Sequence, residues 1–353
     1  MVRPSAARGA ALAFAALVLT ACTLLTSYEG LEHGTPSCDR SKAPAPPPAA
    51  SDGPAMGPLV TAMSSLVLVG GPNVPPPAGL DLDDQCTCPG PASCVNSLDS
   101  PTCDDAGGVD NASGALLTIV ANNGLPLADK LLQEGLAAGL YGVLFRITGY
   151  SGAPDDPAVV VEMLNAVAVN EGSGDLPKFD GADRWTLDSA SFVNGRTVAL
   201  ALDAYVTRGV LVAHFSTLVP KLRIRPSGST TLLIDLQLDD VTLVGEIAAV
   251  GASGATLKNA QLAGRSSISS WLAQVQRAGA CASTNPFLGF QKRLCDLRDL
   301  AARAALDDKN APCNAISVAI GFDSVPASTA TERAPIESPS PCDGELDAGI
   351  GCP

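Results

Sequence analysis

Two aspartate-rich strings flank a cysteine cluster: Asp81, Asp83 and Asp84 precede Cys86, and Asp104, Asp105 and Asp110 follow Cys103. Carboxylate oxygens gathered on turns are the donors that a structural calcium ion takes. Disulfides in the intervening segment would bring the two strings together, which makes Asp81, Asp83, Asp104 and Asp110 the candidate ligands. The segment departs from an EF-hand loop, because Gln85 and Cys86 stand where a ligand and the turn glycine belong, and Ala92 stands at the closing position. The plainer reading, and the preferred one, is that these aspartates are solvated turn and helix-cap residues. Cys86, Cys88, Cys94 and Cys103 offer thiolates for zinc, but disulfides are the expected state in an exported chain.

Conventional catalysis finds little support. The chain has two histidines, His33 and His214, and His214 lies in the apolar run Leu211 to Phe215 with no nucleophile or orienting acid in view. No G-x-S-x-G, S-x-x-K, H-E-x-x-H or P-loop string occurs. Glycoside hydrolysis needs only two carboxyl groups at the right separation, and Glu162 and Glu246 both fall on predicted strands, where a solvated face is the more ordinary reading. Trp185 follows the loop-like stretch from Lys178 to Asp183 and is the one aromatic that could serve as an exposed platform for a sugar. Its alternative role is a core plug at the start of a strand.

The N-terminus carries an address. Arg3 and Arg8 precede the 13-residue apolar stretch Gly9 to Ala21, which is too short to span a bilayer and reads as a signal peptide, residues 1–21. Leu19, Thr20, Ala21 and Cys22 follow the pattern of leucine, two small or hydroxyl residues and cysteine at which bacterial lipoproteins are cleaved and acylated, so Cys22 is the expected lipidation site and a membrane the expected partner. This motif, the proline-rich segment after it and the run Leu82 to Cys103 together resemble surface lipoproteins of large-genome, high-GC Gram-negative bacteria. The Cys86-Thr87-Cys88-Pro89 and Asp110-Asn111-Ala112 strings are of the kind expected there. The resemblance implies a cell-envelope location, with the outer membrane first, and implies no ligand.

Net charge is −14 with an isoelectric point near 4.5, so a phosphate backbone would be repelled and nucleic acid is excluded as a partner. Eight Phe, four Tyr and two Trp leave the core to Leu, Val, Ile and Ala. Residues 22–58 read as the lipidated cysteine and a Pro-rich tether, 59–323 as a single β-rich domain with a Cys/Asp-rich segment at 79–111, and 324–353 as a Pro/Ser-rich tail in which Cys342 and Cys352 would close a small loop.

Within the body, period-two alternation dominates. Val143, Phe145 and Ile147 share one face; Val198, Leu200 and Leu202 repeat the pattern, as do Leu222 and Ile224, the series Leu232 to Leu238, and Ile316 to Phe322. Helical spacing of Ile268, Trp271, Leu272 and Val275 predicts an amphipathic helix over 267–278. Others are predicted from Asn285 to about Leu306, from Asp110 or Asn111 to Ala121, and from Pro126 to Ala138. The expected fold is therefore mainly β: an antiparallel β-sandwich or jelly-roll-like body with three or four decorating helices and disulfide staples. A non-enzymatic binding or structural protein of the cell envelope, its partner a glycan or an envelope protein, is the leading functional expectation; a carbohydrate-binding module comes second and a carboxylate-dependent glycoside hydrolase last.

Overall fold

The computed structural model describes residues 42–48, 53–68, 79–87, 92–95, 103–105, 107–122, 129–225, 231–251, 254–282, 284–335, 342 and 351–352. Residues Cys38–Pro353 form one compact unit. The expected signal peptide, Cys22, His33, Cys38 and Cys88 lie outside the described residues.

Fifteen strands follow one another as β1 Leu59–Met63, β2 Gly142–Thr148, β3 Asp156–Val169, β4 Arg184–Asp188, β5 Phe192–Val193, β6 Arg196–Thr197, β7 Ala199–Thr207, β8 Val210–Leu218, β9 Lys221–Ile224, β10 Leu232–Asp235, β11 Leu238–Gly251, β12 Gly254–Ser267, β13 Ala315–Phe322, β14 Ser324–Pro326 and β15 Ser328–Arg333. Among the described residues four α-helices accompany them: α1 Ser113–Asn122, α2 Asp129–Ala137, α3 Ile268–Arg277 and α4 Asn285–Asp296. Eleven strands make one sheet, in the order β13-β12-β11-β8-β7-β3-β2-β1-β14 with β4 and β15 joined on at β3. Its pairings are antiparallel except for β4 with β15.

The sheet nearly closes on itself. Leu257 N–H of β12 donates to Ser324 Oγ of β14 at 3.1 Å, and Val67 bridges to Gly321 of β13. At Gly254 a Cβ would lie 2.3 Å from the Val60 carbonyl oxygen, so only glycine lets these backbones meet. The mainly β, antiparallel body with helices and disulfides is thus present, and its two facing layers are arms of a single curved sheet. Aliphatic side chains fill the space between them, with Phe145 and Phe322 stacked at 5.4 Å where the arms converge.

Helix α3 forms where its stripe demands. Ser267 Oγ caps it by accepting the Ser270 N–H, and Ile268, Trp271, Leu272 and Val275 are buried. Helix α4 begins at Asn285 as expected but stops at Asp296; Leu297 is its cap, and residues 304–306 form a separate short turn.

Several expectations are overturned. In β7 it is Ala199, Ala201, Ala204 and Val206 that face the core, whereas Val198 and Leu202 are 61% and 71% exposed. The strand alternates as expected, with the opposite face turned inward. A register shift against β3 between Ala201 and Ala204 carries the inward series across a bulge. The tail is also not a tail throughout, because β14 and β15 belong to the sheet. Cys342 and Cys352 do not pair with each other: the bonds are Cys281–Cys342, Cys295–Cys352 and Cys94–Cys313, while Cys86 and Cys103 are also disulfide-bonded. Nor is the Pro-rich segment wholly a free spacer. Pro47 is buried, Tyr205 donates its hydroxyl proton to the Pro44 carbonyl at 2.5 Å, and Lys42 pairs with Asp84. Proline has little chain entropy to lose on docking, so such a segment settles onto a surface with few contacts.

On β12 and β13 both sheet faces are covered. Leu262, Ile316, Val318 and Ile320 point to the core; Ala263, Arg265, Ser317 and Ala319 point outward beneath the 79–110 segment and the loop after α4. Arg265 is 1% exposed and donates to both Asp307 carboxylate oxygens, at 2.7 and 2.6 Å, and to the carbonyls of Ala301 and Leu82, at 3.0 and 2.5 Å. Replacing Arg265 with Met strands a carboxylate and two carbonyls, so the urea midpoint is expected to fall by the equivalent of about 3–5 kcal/mol. Arg265→Lys, which lacks the two-pronged geometry, should recover only part of that loss. An unshifted midpoint in the Met variant would contradict this role.

Candidate functional site

The outer face of β12–β13 gives the acidic strings their floor. Small side chains at Ala263 and Ala319 let Leu80 and Leu82 pack down on the sheet. Gly79 N–H donates to the Gln261 side chain of β12, and Asp110 N–H donates to the Leu80 carbonyl at 3.0 Å, so the two strings lie antiparallel to each other. Immediately afterwards Ala112 N–H bonds to Ser317 and the Ser113 hydroxyl accepts from Ala319 N–H, tying the start of α1 to the outer edge of β13 between its bridges to Leu300 and Val67.

This arrangement places carboxylate oxygens of Asp81, Asp83 and Asp110 within 4.8 Å of one another. Asp104 stands beside them and accepts the Thr87 N–H at 2.6 Å. Asp110, only 2% exposed, accepts the Leu82 N–H at 2.6 Å, and Asp83 accepts the Gln85 N–H at 2.8 Å. Both carboxylate oxygens of Asp81 are sealed from solvent and without a hydrogen-bond partner; the Asp84 N–H faces that carboxylate without completing a bond. The four aspartates proposed from spacing are therefore brought together, three of them with carboxylates in mutual reach.

Electrostatically the cluster is unbalanced. Burial, reinforced by the negative charge of Asp83 and Asp299, pushes the Asp110 carboxyl up to about 9. Burial likewise raises Asp104 to about 6 against the opposing Thr87 N–H, and raises Asp81 with help from Asp83. A fifth carboxylate, missed in the sequence, lies beneath: Asp299 accepts from Ser317 N–H and Oγ–H at 2.9 and 2.5 Å, and its burial still raises it to about 7. Nothing in the sequence marks Asp299, an aspartate shortly after a helix; only the fold brings it under the cluster.

The remaining predicted residues are placed otherwise. Trp185 is 0% exposed, with its ring against Gly142 and Phe179, and so is no platform for a sugar. Large, rigid and apolar, it fills the second core under β2 and β4. Glu162 and Glu246 are not a catalytic pair, because β7 and β8 separate their strands by three sheet spacings, about 14 Å. Burial alone would raise Glu162, but hydrogen bonds from Arg146 and Thr197 outweigh it and hold the carboxyl below its usual range; Glu246 is exposed. His214 is exposed, with Nδ1 3.1 Å from Thr242 Oγ1 and its ring near Tyr205.

A polar cleft of about 510 Å³ opens beside β4 and β15, lined by Asn170, Glu171, Asp175, Lys178, Asp180 and Arg184 among others. Two of its acids are engaged internally: Glu171 pairs with Arg333 and accepts from Thr186, while Asp183 accepts from Asn170 and the Lys178 and Phe179 N–H groups.

Comparison with protein-family models, with characterised proteins and with solved structures finds no match to this chain.

The sign of the pH dependence follows from the buried acids. A carboxyl raised in the folded state binds its proton more tightly there than in the unfolded chain, so its stabilising contribution is complete below about pH 4 and is lost as pH rises through its folded value. In chelator-containing buffer the melting temperature of the full chain should therefore be lower at pH 8 than at pH 5, by about 4 °C or more. Asp299→Asn removes one such group and should flatten the slope. Profiles that are level, or that climb with pH, would refute this assignment.

Proposed function

We propose that this chain is a lipid-anchored protein of the cell envelope, with the outer membrane the favoured site, whose disulfide-stapled β domain works by binding a partner or by structural support rather than by catalysing a reaction. The observation that carries the reading is the disulfide framework. Cys94–Cys313 joins positions 219 residues apart, and two further bonds hold the C-terminal segment to Cys281 just beyond α3 and to Cys295 in α4. Such bonds persist in an exported, oxidising compartment. Export agrees with the Arg3–Cys22 address, and acylation at Cys22 would tether the body without a spanning segment. Among the described residues, no helix is long and apolar enough to cross a membrane.

The non-catalytic part rests on how the polar side chains are spent. Glu162 is engaged by Arg146 and Thr197, Asp188 by Lys221 and the Ala190 N–H, and Asp307 by Arg265. These are structural pairings, each holding one element against another. A carbohydrate-binding reading no longer has Trp185 as its platform and attaches instead to the polar cleft beside β15, whose amide, carboxylate and cationic groups suit sugar hydroxyls.

Residues 42–48 lie on the body, through the Tyr205–Pro44 hydrogen bond and the Lys42–Asp84 pair. From Cys22 to Lys42 the chain can reach no more than about 70 Å when fully extended. With Cys22→Ser, the protein is expected to leave the membrane fraction and appear in the soluble envelope fraction, and to lose incorporation of labelled palmitate. Unchanged membrane retention in that variant would overturn the anchor.

A further inference from the structure

We infer that the carboxylates of Asp81, Asp83 and Asp110 bind one calcium ion, which fastens the 79–87 segment to the 103–110 segment on the outer face of β12–β13. The inference goes beyond membrane anchoring and stands whether or not Cys22 carries a lipid.

Three observations support it. First, the oxygens concerned lie within 4.8 Å of one another. Calcium holds its oxygen ligands at 2.3–2.6 Å, so two ligands on opposite sides of one ion are about 5 Å apart at most; the spacing seen suits a shared ion. Second, the Asp81 carboxylate is shielded from solvent at both oxygens and has no hydrogen-bond partner. The backbone N–H groups of Leu82 and Gln85 are already taken by Asp110 and Asp83, so neither reaches Asp81. Third, among the described residues none of Asp81, Asp83, Asp104 and Asp110 forms an ion pair with a lysine or arginine. The cations nearby are committed elsewhere, Lys42 to Asp84 and Arg265 to Asp307.

The donor set also selects the ion. Every candidate ligand is a hard carboxylate oxygen, and the neighbouring thiols Cys86 and Cys103 are consumed in disulfides, which excludes a thiolate zinc centre. Magnesium demands a small octahedral shell and gives up its waters reluctantly. A carboxylate already closed off from solvent, as Asp81 is, suits the less demanding shell of calcium. The backbone bridge between Leu80 and Asp110 holds the two segments in register, so binding would lock an arrangement already formed.

The test is equilibrium dialysis of the full-length protein in detergent, stripped with EGTA, against calcium chloride. One ion per chain is expected, half-saturating at or below about 1 mM, the range of extracellular calcium modules, with a rise in melting temperature that magnesium chloride matches only weakly. Asp83→Asn keeps the acceptor for the Gln85 N–H and so preserves the turn, and it should weaken uptake at least tenfold. Asp105→Asn, altered next to the set but outside it, should bind as the wild type does. Absence of stoichiometric uptake at saturating calcium, or uptake undiminished in Asp83→Asn, would overturn the site. If Asp83→Asn fails to fold by circular dichroism, Asp81→Asn replaces it under the same criterion, and absence of uptake by the wild type remains decisive alone.

Discussion

A single buried guanidinium, that of Arg265, obliges much of this molecule to be built as it is. It lies on the outer face of β12, one strand in from the end of the sheet, where it is out of reach of water, and a buried cation must find its full complement of acceptors. Those acceptors come from two separate coverings: the Leu82 carbonyl from the N-terminal side, and the Ala301 carbonyl and Asp307 carboxylate from the loop after α4. The peptide at Leu82 then works twice, since its carbonyl accepts from Arg265 while its N–H donates to Asp110. The cationic centre and the acidic cluster are thus joined through one residue, and with Arg265 committed to Asp307 its charge is not free to neutralise the aspartates.

Covering an outer sheet face with irregular chain needs both room and restraint. Room comes from small side chains, Ala263, Ala319 and Ser317. Restraint comes from covalent bonds. The covering segments offer short bridges and turns rather than long ladders, so their ordering entropy is not recovered by regular hydrogen bonding. Cys94–Cys313 cross-links the covering to the approach to β13, and Cys281–Cys342 and Cys295–Cys352 do the same for the C-terminal segment. In an exported chain with few aromatics, constraining the unfolded state in this way is an effective source of stability.

What the amino-acid sequence reveals follows the same division. Where the apolar series is regular, as in β2, β13 and α3, periodicity names the residues of the main core directly, although β2 and β13 are covered on their other faces too. In β7 it fails in facing, because alternation is symmetric: Val198, Leu200 and Leu202 alternate with alanines as regularly as any core strand, and the core at that point has room only for Ala199, Ala201 and Ala204. The pairings of Cys94 with Cys313, Cys281 with Cys342 and Cys295 with Cys352 are invisible locally, since each joins segments that the chain brings together only after folding. The acidic site was half legible. Spacing around the cysteines identified Asp81, Asp83, Asp104 and Asp110, yet burial of Asp81 and Asp110, the fact that separates a site from a solvated turn, depends on the floor made by β12 and β13. Asp299, supplied from beyond α4, carried no local signal.

The two outer faces of the sheet consequently differ in kind. On β12–β13 the chain covers itself and concentrates its buried charge. On β7 the aliphatic row Val198, Leu200 and Leu202 stands open, but only at one end, because at the other the Pro-rich segment lies over Tyr205 with Pro47 buried. That segment continues to Lys42, whose ammonium meets Asp84, the immediate neighbour of Asp83. Residues 42–48 thus connect the two faces, resting on Tyr205 of β7 at one end and meeting the 79–87 covering at the other. Any interaction that holds that covering down, Arg265 through Leu82 included, therefore also helps to hold the Pro-rich segment in place.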